Sequence, residues 1–276
     1  MTDTIQGDFD GSDGKIKWRA WIPDDTATAV VILVHGIAEH SGRYQYVGER
    51  LAAAGYAVYA PDHHGHGLSE GHRANIGTMD GVADDVQRMM DCAIRRHPEA
   101  PRFVLGHSLG GLIALYYVTR SQVAINGLVI SAAAIDVPVV SGVQRVVGSL
   151  LSKVAPNAGA LKLDSAGLSR DPAVIADYDS DQLNFRGKIP VRTLTEGMHA
   201  IEQVQAGLPK LTVPLLILHG EDDPIVAVSG SRDIAKQAGS DDVTLKVYPG
   251  LLHEILNEPE KDQVIGDIVG WLDQHR

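Results

Sequence analysis

The sequence is poor in cysteine and in basic side chains. Its one cysteine, Cys92, cannot form a disulfide within the chain, and the surrounding DDVQRMMDCAIRRH is typical of a helix that carries it as a small side chain. The formal net charge of −11 argues against nucleic-acid partners, since binding a phosphate backbone requires a basic face. It also gives no electrostatic attraction to anionic lipid, so any membrane contact must be apolar.

Long hydrophobic segments are lacking as well. No uncharged apolar run reaches the roughly 18 residues of a membrane-spanning helix. The acidic N-terminus, MTDTIQGDFDGSDG, has no apolar segment typical of a signal peptide, so we expect a cytoplasmic protein. With no repeats, low-complexity tracts or proline-rich linkers, 276 residues that are 44% hydrophobic predict one globular domain, with or without an insertion. The sequence does not indicate an oligomeric state.

What is present is an alternation of short β-rich segments with helical patterns. KIKWRAW alternates polar and apolar residues like a strand with one wet face, whereas AVVILVHG is a continuous apolar run, typical of a strand buried on both faces. Helical patterns such as RYQYVGERLAAAG and LGGLIALYYVTR separate these strands from later ones. The alternation predicts an α/β fold with a mostly parallel central sheet and helices on both faces.

The alternation stops between residues 136 and 208, where no strand of the parallel-sheet type is evident. This stretch is too long for one loop. We therefore expect a helical cap, or lid, inserted before the last strands of a core formed by residues 1–135 and 209–276. Six apolar residues recur in it at helical spacing: Val139, Val143, Val146, Val147, Leu150 and Val154. This stripe either packs into the core or is exposed, and an exposed stripe would allow transient contact with a lipid surface.

Ser108 lies where the strand pattern FVLG runs directly into a helical pattern. Its surroundings, GHSLG, fit GxSxG, in which a strained strand-to-helix turn projects the serine hydroxyl from the carboxyl edge of a sheet. Bulk at position 106 or 110 would clash with neighbouring backbone, which accounts for both glycines. A chance match is the alternative in a chain with 29 glycines, but the flanking strand and helix favour a nucleophile.

A nucleophilic serine needs a histidine to take its proton and a carboxylate to hold that histidine's tautomer. With GxSxG these partners follow in the order Ser, Asp, His, each after a later strand. LLILHGEDDPIV places Asp222 and Asp223 after one strand, and VTLKVYPGLLHE places His253 after the next. We select Asp223, because Pro224 fixes the chain in a turn that leaves Asp222 facing solvent.

Acyl transfer also requires donors for the developing oxyanion. The expected donors are the backbone N–H groups of Leu109, directly after the nucleophile, and of Ile37, in the loop after AVVILVHG.

Four histidines in APDHHGHGLSEGH, which are His63, His64, His66 and His72, raise the alternative of a zinc site. Nothing else in the chain has ligand spacing. We therefore favour a glycine-rich loop beside the active site and expect neither a metal ion nor another cofactor.

Four segments together carry a family resemblance: HGIAEHSGRY at 35–44, DHHGHGLSEG at 62–71, GHSLGG at 106–111 and HGEDDPIV at 219–226. With them the chain resembles the monoacylglycerol lipase family of α/β-hydrolases over nearly its whole length, and most nearly the bacterial, actinobacterial-type members. The resemblance implies the α/β-hydrolase fold and a serine hydrolase that cleaves monoacylglycerols through an acyl-enzyme. It also implies the same triad and oxyanion donors as those chosen above.

The resemblance further implies that Glu39, Arg43 and Tyr178 lie near a polar pocket for the glycerol head group. The alternatives are a surface ion pair for the first two and a packed ring for the tyrosine. Leu256 stands where mammalian members have a second histidine, so this chain is expected to bind glycerol differently. A lysophospholipase, a general short-chain esterase and a non-catalytic binding protein of the same fold remain the alternative functions.

Overall fold

The structure is a computed structural model that describes residues 3–121, 123–136 and 142–276. Its strands are β1 (Asp3–Gly11), β2 (Gly14–Ile22), β3 (Ala29–Val34), β4 (Tyr56–Pro61), β5 (Arg102–His107), β6 (Gly127–Ser131), β7 (Gly159–Lys162), β8 (Lys188–Pro190), β9 (Leu215–Gly220) and β10 (Val243–Tyr248). Its α-helices are α1 (Gln45–Ala53), α2 (Met79–Arg96), α3 (Leu109–Ser121), α4 (Gly142–Val154), α5 (Pro172–Ser180), α6 (Val191–Gly207), α7 (Val228–Gln237) and α8 (Lys261–His275). Short 3₁₀ helices span Ser41–Tyr44, Ser165–Gly167 and Leu208–Lys210.

Eight of these strands form one sheet in the order β1-β2-β4-β3-β5-β6-β9-β10. In this spatial order, the six strands β4, β3, β5, β6, β9 and β10 run parallel to one another. Strand β2 is antiparallel to both of its neighbours, β1 and β4. The predicted α/β fold with a mostly parallel sheet is thereby confirmed.

Helices cover both faces of the sheet. On one face α1 and α8 bury Leu51, Ile268 and Leu272, and on the other α2 and α3 bury Met89 and Ile113. Every residue of β3, β4, β6 and β9 is buried, as their continuous apolar sequences predict. No helix of the described residues is both long and apolar enough to cross a bilayer.

Two strand pairs were not predicted from the sequence. The segment DTIQGDFDG contains residues with low β propensity, yet as β1 it pairs with β2 along its full length, from Asp3 opposite Ile22 to Gly11 opposite Gly14. The short strands β7 and β8 form a separate antiparallel pair within the stretch expected to be helical or irregular. In both cases hydrogen bonds to the partner strand stabilise a strand that local propensity does not favour.

The elements between residues 142 and 208 follow β6 and precede β9, and none of them joins the large sheet. Among them, α6 packs against α3 of the core and against α4. That this stretch acts as a cap remains a prediction. Of the predicted apolar stripe, Val139 and the side chains of Val143, Val146 and Val147 lie outside the described part of the structure. Leu150 and Val154 are 62% and 70% exposed.

Candidate active site

The parallel strands end at one edge of the sheet, and the predicted site residues follow those ends. Val34 is in register with Gly106, His107 with Ser131, Ser131 with Leu218, and Gly220 with Tyr248. The loops after β3, β5, β9 and β10 therefore begin within three residues of the same level. This common level brings residues distant in sequence to one rim, as in open α/β sheets generally.

Ser108 occupies the turn between β5 and α3 in the left-handed conformation, with a φ of 55°. This region is costly for a residue with a side chain, so the turn is strained. A Cβ at position 106 would lie 2.3 Å from the carbonyl oxygen of Gly110, and one at position 110 would lie 2.0 Å from that of Val34. Glycine is required at both positions, because neighbouring backbone atoms lie too close to leave room for a side chain.

The structure brings the three predicted triad residues into one hydrogen-bonded chain. His253 Nε2 lies 2.9 Å from Ser108 Oγ, and His253 Nδ1 lies 2.7 Å from Asp223 Oδ2. The His253 side chain is 5% exposed, so water competes little for either contact. With its proton on Nδ1, the imidazole donates to the carboxylate and leaves Nε2 free to accept the serine proton.

Asp223 is held as an anion by several donors. Its Oδ1 accepts the N–H groups of Ile225 and Val226 at 2.8 and 3.0 Å. Burial alone would raise the pKa of Asp223, but hydrogen bonds from His219 and His253 lower it well below the ordinary value. Asp222, the rival candidate, is exposed and lies outside this network.

The two expected oxyanion donors flank Ser108. Leu109 is the first residue of α3, and Ile37 lies in the loop after β3 and lines the pocket at Ser108. Among the described groups, none accepts a hydrogen bond from either N–H. Both amides are therefore available to a substrate oxygen.

Glu39 and Arg43 form a buried ion pair, not the surface pair considered as an alternative. Arg43 Nη1 donates to Glu39 at 2.8 Å, and the same guanidinium donates to both oxygens of Glu254 at 2.6 and 2.8 Å. Burial raises the pKa of Glu39. For Glu254 burial acts in the same direction, but the charge and hydrogen bonds of Arg43 outweigh it and lower the pKa.

Tyr178 is buried, with its ring 4.8 Å from the Arg43 guanidinium carbon and its hydroxyl donating to the Ala38 carbonyl at 3.2 Å. It lines the pocket over Ser108 together with Glu39 and Glu254, whereas Arg43 lies behind these carboxylates. Leu256 packs into the hydrophobic core and does not reach the pocket wall.

The pocket over Ser108 is narrow and mainly apolar. Its volume is about 50 Å³, and its apolar lining comes from Ile37, Leu163, Leu168 and Ile225. His107 closes one side, with its ring 4.8 Å from that of His253. Burial and the neighbouring His253 lower the pKa of His107 to about 3, so this ring is neutral at pH 7.

The predicted histidine-rich loop packs under the site. The His63 ring lies 4.0 Å from the His35 ring and is tilted by 37° to it, the His66 ring lies 5.5 Å from that of His35, and all three residues are buried. Burial lowers the pKa of His63 to about 4 and that of His66 to about 3. Within the described parts of the chain, no three His, Cys, Asp or Glu side chains converge in a way that could hold a metal ion.

Three supporting residues were missed at the sequence level. His219 Nε2 lies 3.2 Å from Asp223 Oδ2, and Glu254 accepts hydrogen bonds from Arg43. Glu258 is fully buried and accepts the N–H groups of Leu252 and Arg170 at 2.8 and 3.1 Å. It thereby joins the loop of His253 to the stretch before β9. Their proximity to Asp223 and His253 in sequence was a signal, but Arg43 and Arg170, the partners of Glu254 and Glu258, are distant in the chain.

Known proteins resemble this chain in sequence and in fold. Residues 25–260 match the family described as serine aminopeptidase, S33. The chain is 39% identical to a monoacylglycerol lipase of Mycolicibacterium smegmatis, over 95% of this chain and 94% of that protein. It is 35% identical to the human monoglyceride lipase, over 93% and 86% of the two chains. A solved Paleococcus ferrophilus monoacylglycerol lipase superposes with a TM-score of 0.82 at 28% identity, covering 99% of this chain and 100% of that one.

Proposed function

The chain belongs to the monoacylglycerol lipase family of α/β-hydrolases, and we propose that it cleaves monoacylglycerols to a fatty acid and glycerol through an acyl-enzyme intermediate. The observation that carries the proposal is the hydrogen-bonded chain from Asp223 through His253 to Ser108 at the base of the pocket. No described residue is needed to hold a cofactor for this chemistry.

In the acylation step, Ser108 Oγ attacks the ester carbonyl carbon while its proton passes to His253 Nε2. The carbonyl oxygen becomes an oxyanion and accepts the N–H groups of Ile37 and Leu109. The imidazolium is stabilised by Asp223, which stays ionised. The C–O bond to glycerol then breaks, the departing oxygen takes the proton from Nε2, and the acyl group remains on Oγ.

Deacylation repeats these steps with water. His253 Nε2 takes a proton from the water as its oxygen attacks the acyl carbon, and the same two N–H groups hold the second oxyanion. The bond from the acyl carbon to Ser108 Oγ breaks, Oγ recovers the proton, and the fatty acid leaves. Each well-aimed oxyanion donor is worth about 3–4 kcal/mol of barrier.

The pocket suits an ester with one apolar arm and one polar arm. Leu163, Leu168 and Ile225 contribute apolar side chains to the lining, and Glu39 and Glu254 contribute carboxylates. A volume of about 50 Å³ is below the roughly 300 Å³ of a typical ligand pocket. We therefore infer that the segment from 163 to 168 moves when a long acyl chain enters.

We also propose transient contact with a lipid surface through the last turns of α4. Leu150, Leu151 and Val154 are 62%, 40% and 70% exposed there. Because the chain carries a net charge of −11, this contact would be apolar and would favour zwitterionic over anionic lipid. A cytoplasmic location remains a prediction from the sequence, and cell fractionation tests it.

The decisive experiment measures hydrolysis of monooleoylglycerol by the wild-type enzyme and by Ser108→Ala. We expect the variant to lose at least about a thousandfold in kcat/KM and to lose labelling by a fluorophosphonate. Lysophosphatidylcholine and a short-chain p-nitrophenyl ester serve as competing substrates. A wild-type protein that prefers either of them would make it a lysophospholipase or a general esterase, and one that is not labelled would be a binding protein.

A further inference from the structure

The loop that carries Ile37, residues 36–40, is held from the core side by Glu39. The Glu39 carboxylate accepts the Gly36 N–H at 2.6 Å and the Tyr44 hydroxyl at 2.7 Å. Arg43, itself fixed by Glu254, donates to the other carboxylate oxygen. The peptide between His35 and Gly36, one peptide before the one that carries the Ile37 N–H, is thereby anchored to a buried charge cluster. We call residues 36–40 the oxyanion loop.

The same loop is held from the opposite side by residues 178–185, which belong to the stretch between β6 and β9. The Ala38 carbonyl accepts two hydrogen bonds from this segment, one from the Tyr178 hydroxyl at 3.2 Å and one from the Phe185 N–H at 2.9 Å. The Asn184 side-chain amide donates to the Tyr178 carbonyl at 3.0 Å. This hydrogen bond links Tyr178 to the residue before Phe185 and so connects the two donors.

A third tie joins His40 to Asp181. His40 Nδ1 accepts the Gly42 N–H, so its proton lies on Nε2, which donates to Asp181 at 2.8 Å. Burial raises the pKa of Asp181, but the hydrogen bonds from His40 and the Leu183 N–H outweigh it and lower the pKa below its usual value. The carboxylate therefore remains an acceptor throughout the neutral range.

The conformation of Ala38 shows why these ties matter. Its φ is 64°, in the left-handed region that is unfavourable for a residue with a Cβ. Without an outside constraint, the chain would relax toward right-handed or extended backbone and would rotate the neighbouring peptides. The Gly36 N–H and the Ala38 carbonyl are both fixed, one on each side of Ile37, so the direction of the Ile37 N–H is set by two anchors.

We propose that Tyr178 is a positioning residue of the oxyanion hole, whose hydroxyl holds Ala38 so that the Ile37 N–H stays aimed at the substrate oxygen. The stretch between β6 and β9 thus contributes to transition-state stabilisation and does more than cover the pocket. This inference rests on the proposed acyl-transfer function. It differs from a head-group role for Tyr178, because the hydroxyl proton is already committed to the Ala38 carbonyl.

The test compares wild type with Tyr178→Phe, which keeps the ring beside Arg43 and removes only the hydroxyl. The substrates are monooleoylglycerol and p-nitrophenyl decanoate, which has no glycerol, and active sites are counted by fluorophosphonate titration. Loss of a whole oxyanion donor costs about 10²–10³ in kcat. For a misaimed donor we expect kcat to fall about 5- to 30-fold on both substrates, with KM changed less than about twofold.

A second measurement isolates the oxyanion hole from the head-group pocket. A long-chain alkyl trifluoromethyl ketone forms a hemiketal with Ser108, and its oxyanion uses the same donors although it has no glycerol. Its affinity should fall by about the same factor as kcat in Tyr178→Phe. The matched control is Tyr56→Phe, since the Tyr56 hydroxyl donates to Asp273 at 2.7 Å at the opposite end of the sheet. This control should resemble wild type in all three assays.

Two results would overturn the inference. One is a rise in KM for monooleoylglycerol alone, with the nitrophenyl ester and the ketone unaffected, which would make Tyr178 a head-group ligand. The other is a Tyr178→Phe variant equal to wild type in every assay. Failure of the proposed acyl transfer would look different, because the wild-type protein would then hydrolyse neither ester, whereas a general esterase would hydrolyse the nitrophenyl ester and leave the test of Tyr178 valid on that substrate.

Discussion

Arg43 and Glu254 form a bidentate ion pair, with N–O distances of 2.6 and 2.8 Å. Glu254 directly follows His253, and the side chains of Arg43 and Glu254 are 10% and 5% exposed. The guanidinium also pairs with Glu39, so one buried cation faces two buried carboxylates. Charges in such surroundings are tolerated only while they are paired. The cluster therefore connects the oxyanion loop to the loop of His253 through a single arginine.

Replacing this arginine should destabilise the fold strongly. Arg43→Met leaves two carboxylates buried without a cation, and breaking a buried pair in this way costs about 3–5 kcal/mol of unfolding free energy. The control is Arg50→Met, which breaks a pair with Asp262 whose side chains are 45% and 61% exposed. Exposed pairs are worth about 0–1 kcal/mol. Urea unfolding measures both variants, and equal small losses would contradict the buried-cluster account.

The choice between two neighbouring aspartates is open to a direct test. Asp223→Asn would no longer hold the proton of His253 on Nδ1, and the corresponding change in a serine protease lowers kcat about 10⁴-fold. We expect a loss of about 10³- to 10⁴-fold for monooleoylglycerol. Asp222→Asn alters an exposed side chain of the same type at the adjacent position and should retain nearly full activity. The reverse ranking would show that the triad is wrongly assigned.

Mild acid should destabilise the protein through its buried histidines. The pKa values of His63, His66 and His107 are lowered to about 4, 3 and 3, chiefly by burial, and that of His35 is also lowered. Unfolded histidine titrates near 6.5, so between about pH 6.5 and pH 4 the unfolded state binds more protons and stability falls as pH falls. Each histidine contributes roughly 1.4 kcal/mol per pH unit in that window.

Thermal unfolding between pH 7.5 and 5 measures this dependence. The raised pKa of Glu39 acts in the opposite direction, but it is one group against four buried histidines. His66→Asn removes one buried imidazole and should make the decline of the midpoint with acid shallower. His72→Asn changes an exposed histidine of the same loop and should leave the slope unchanged. A midpoint that is constant down to pH 5 would contradict the prediction.

The proposed lipid contact predicts that acidic residues on α4 weaken binding to vesicles. Leu150→Glu combined with Val154→Glu places two charges at positions that are 62% and 70% exposed. We expect reduced co-sedimentation with phosphatidylcholine vesicles and unchanged hydrolysis of a soluble short-chain ester. Ile5→Glu, at a 38% exposed position on edge strand β1, is the control. Vesicle binding that is unaffected by the α4 changes would exclude this surface as the docking site.

By itself, the sequence determined the fold class, the family and the order of the site residues. Apolar strands that are buried on both faces must alternate with covering helices, so runs such as AVVILV and LLILHG indicated the parallel sheet. The GxSxG turn needs glycine at position 106 because of the Gly110 carbonyl in the same turn, and such a local constraint can be read directly from the residues. Glycine at position 110 is required by the Val34 carbonyl of β3, a contact that depends on the sheet.

Tertiary structure alone decided contacts whose partners are far apart in the chain. Strand β1 forms because β2 supplies its hydrogen bonds, not because DTIQGDFDG favours a strand. Glu39 and Arg43 could be read as a surface pair until Glu254, more than two hundred residues later, was seen to bury them together. Tyr178 reaches Ala38 across 140 residues. Local propensity and residue spacing carry no information on contacts between residues so far apart, because these contacts depend on how the packed elements fit together.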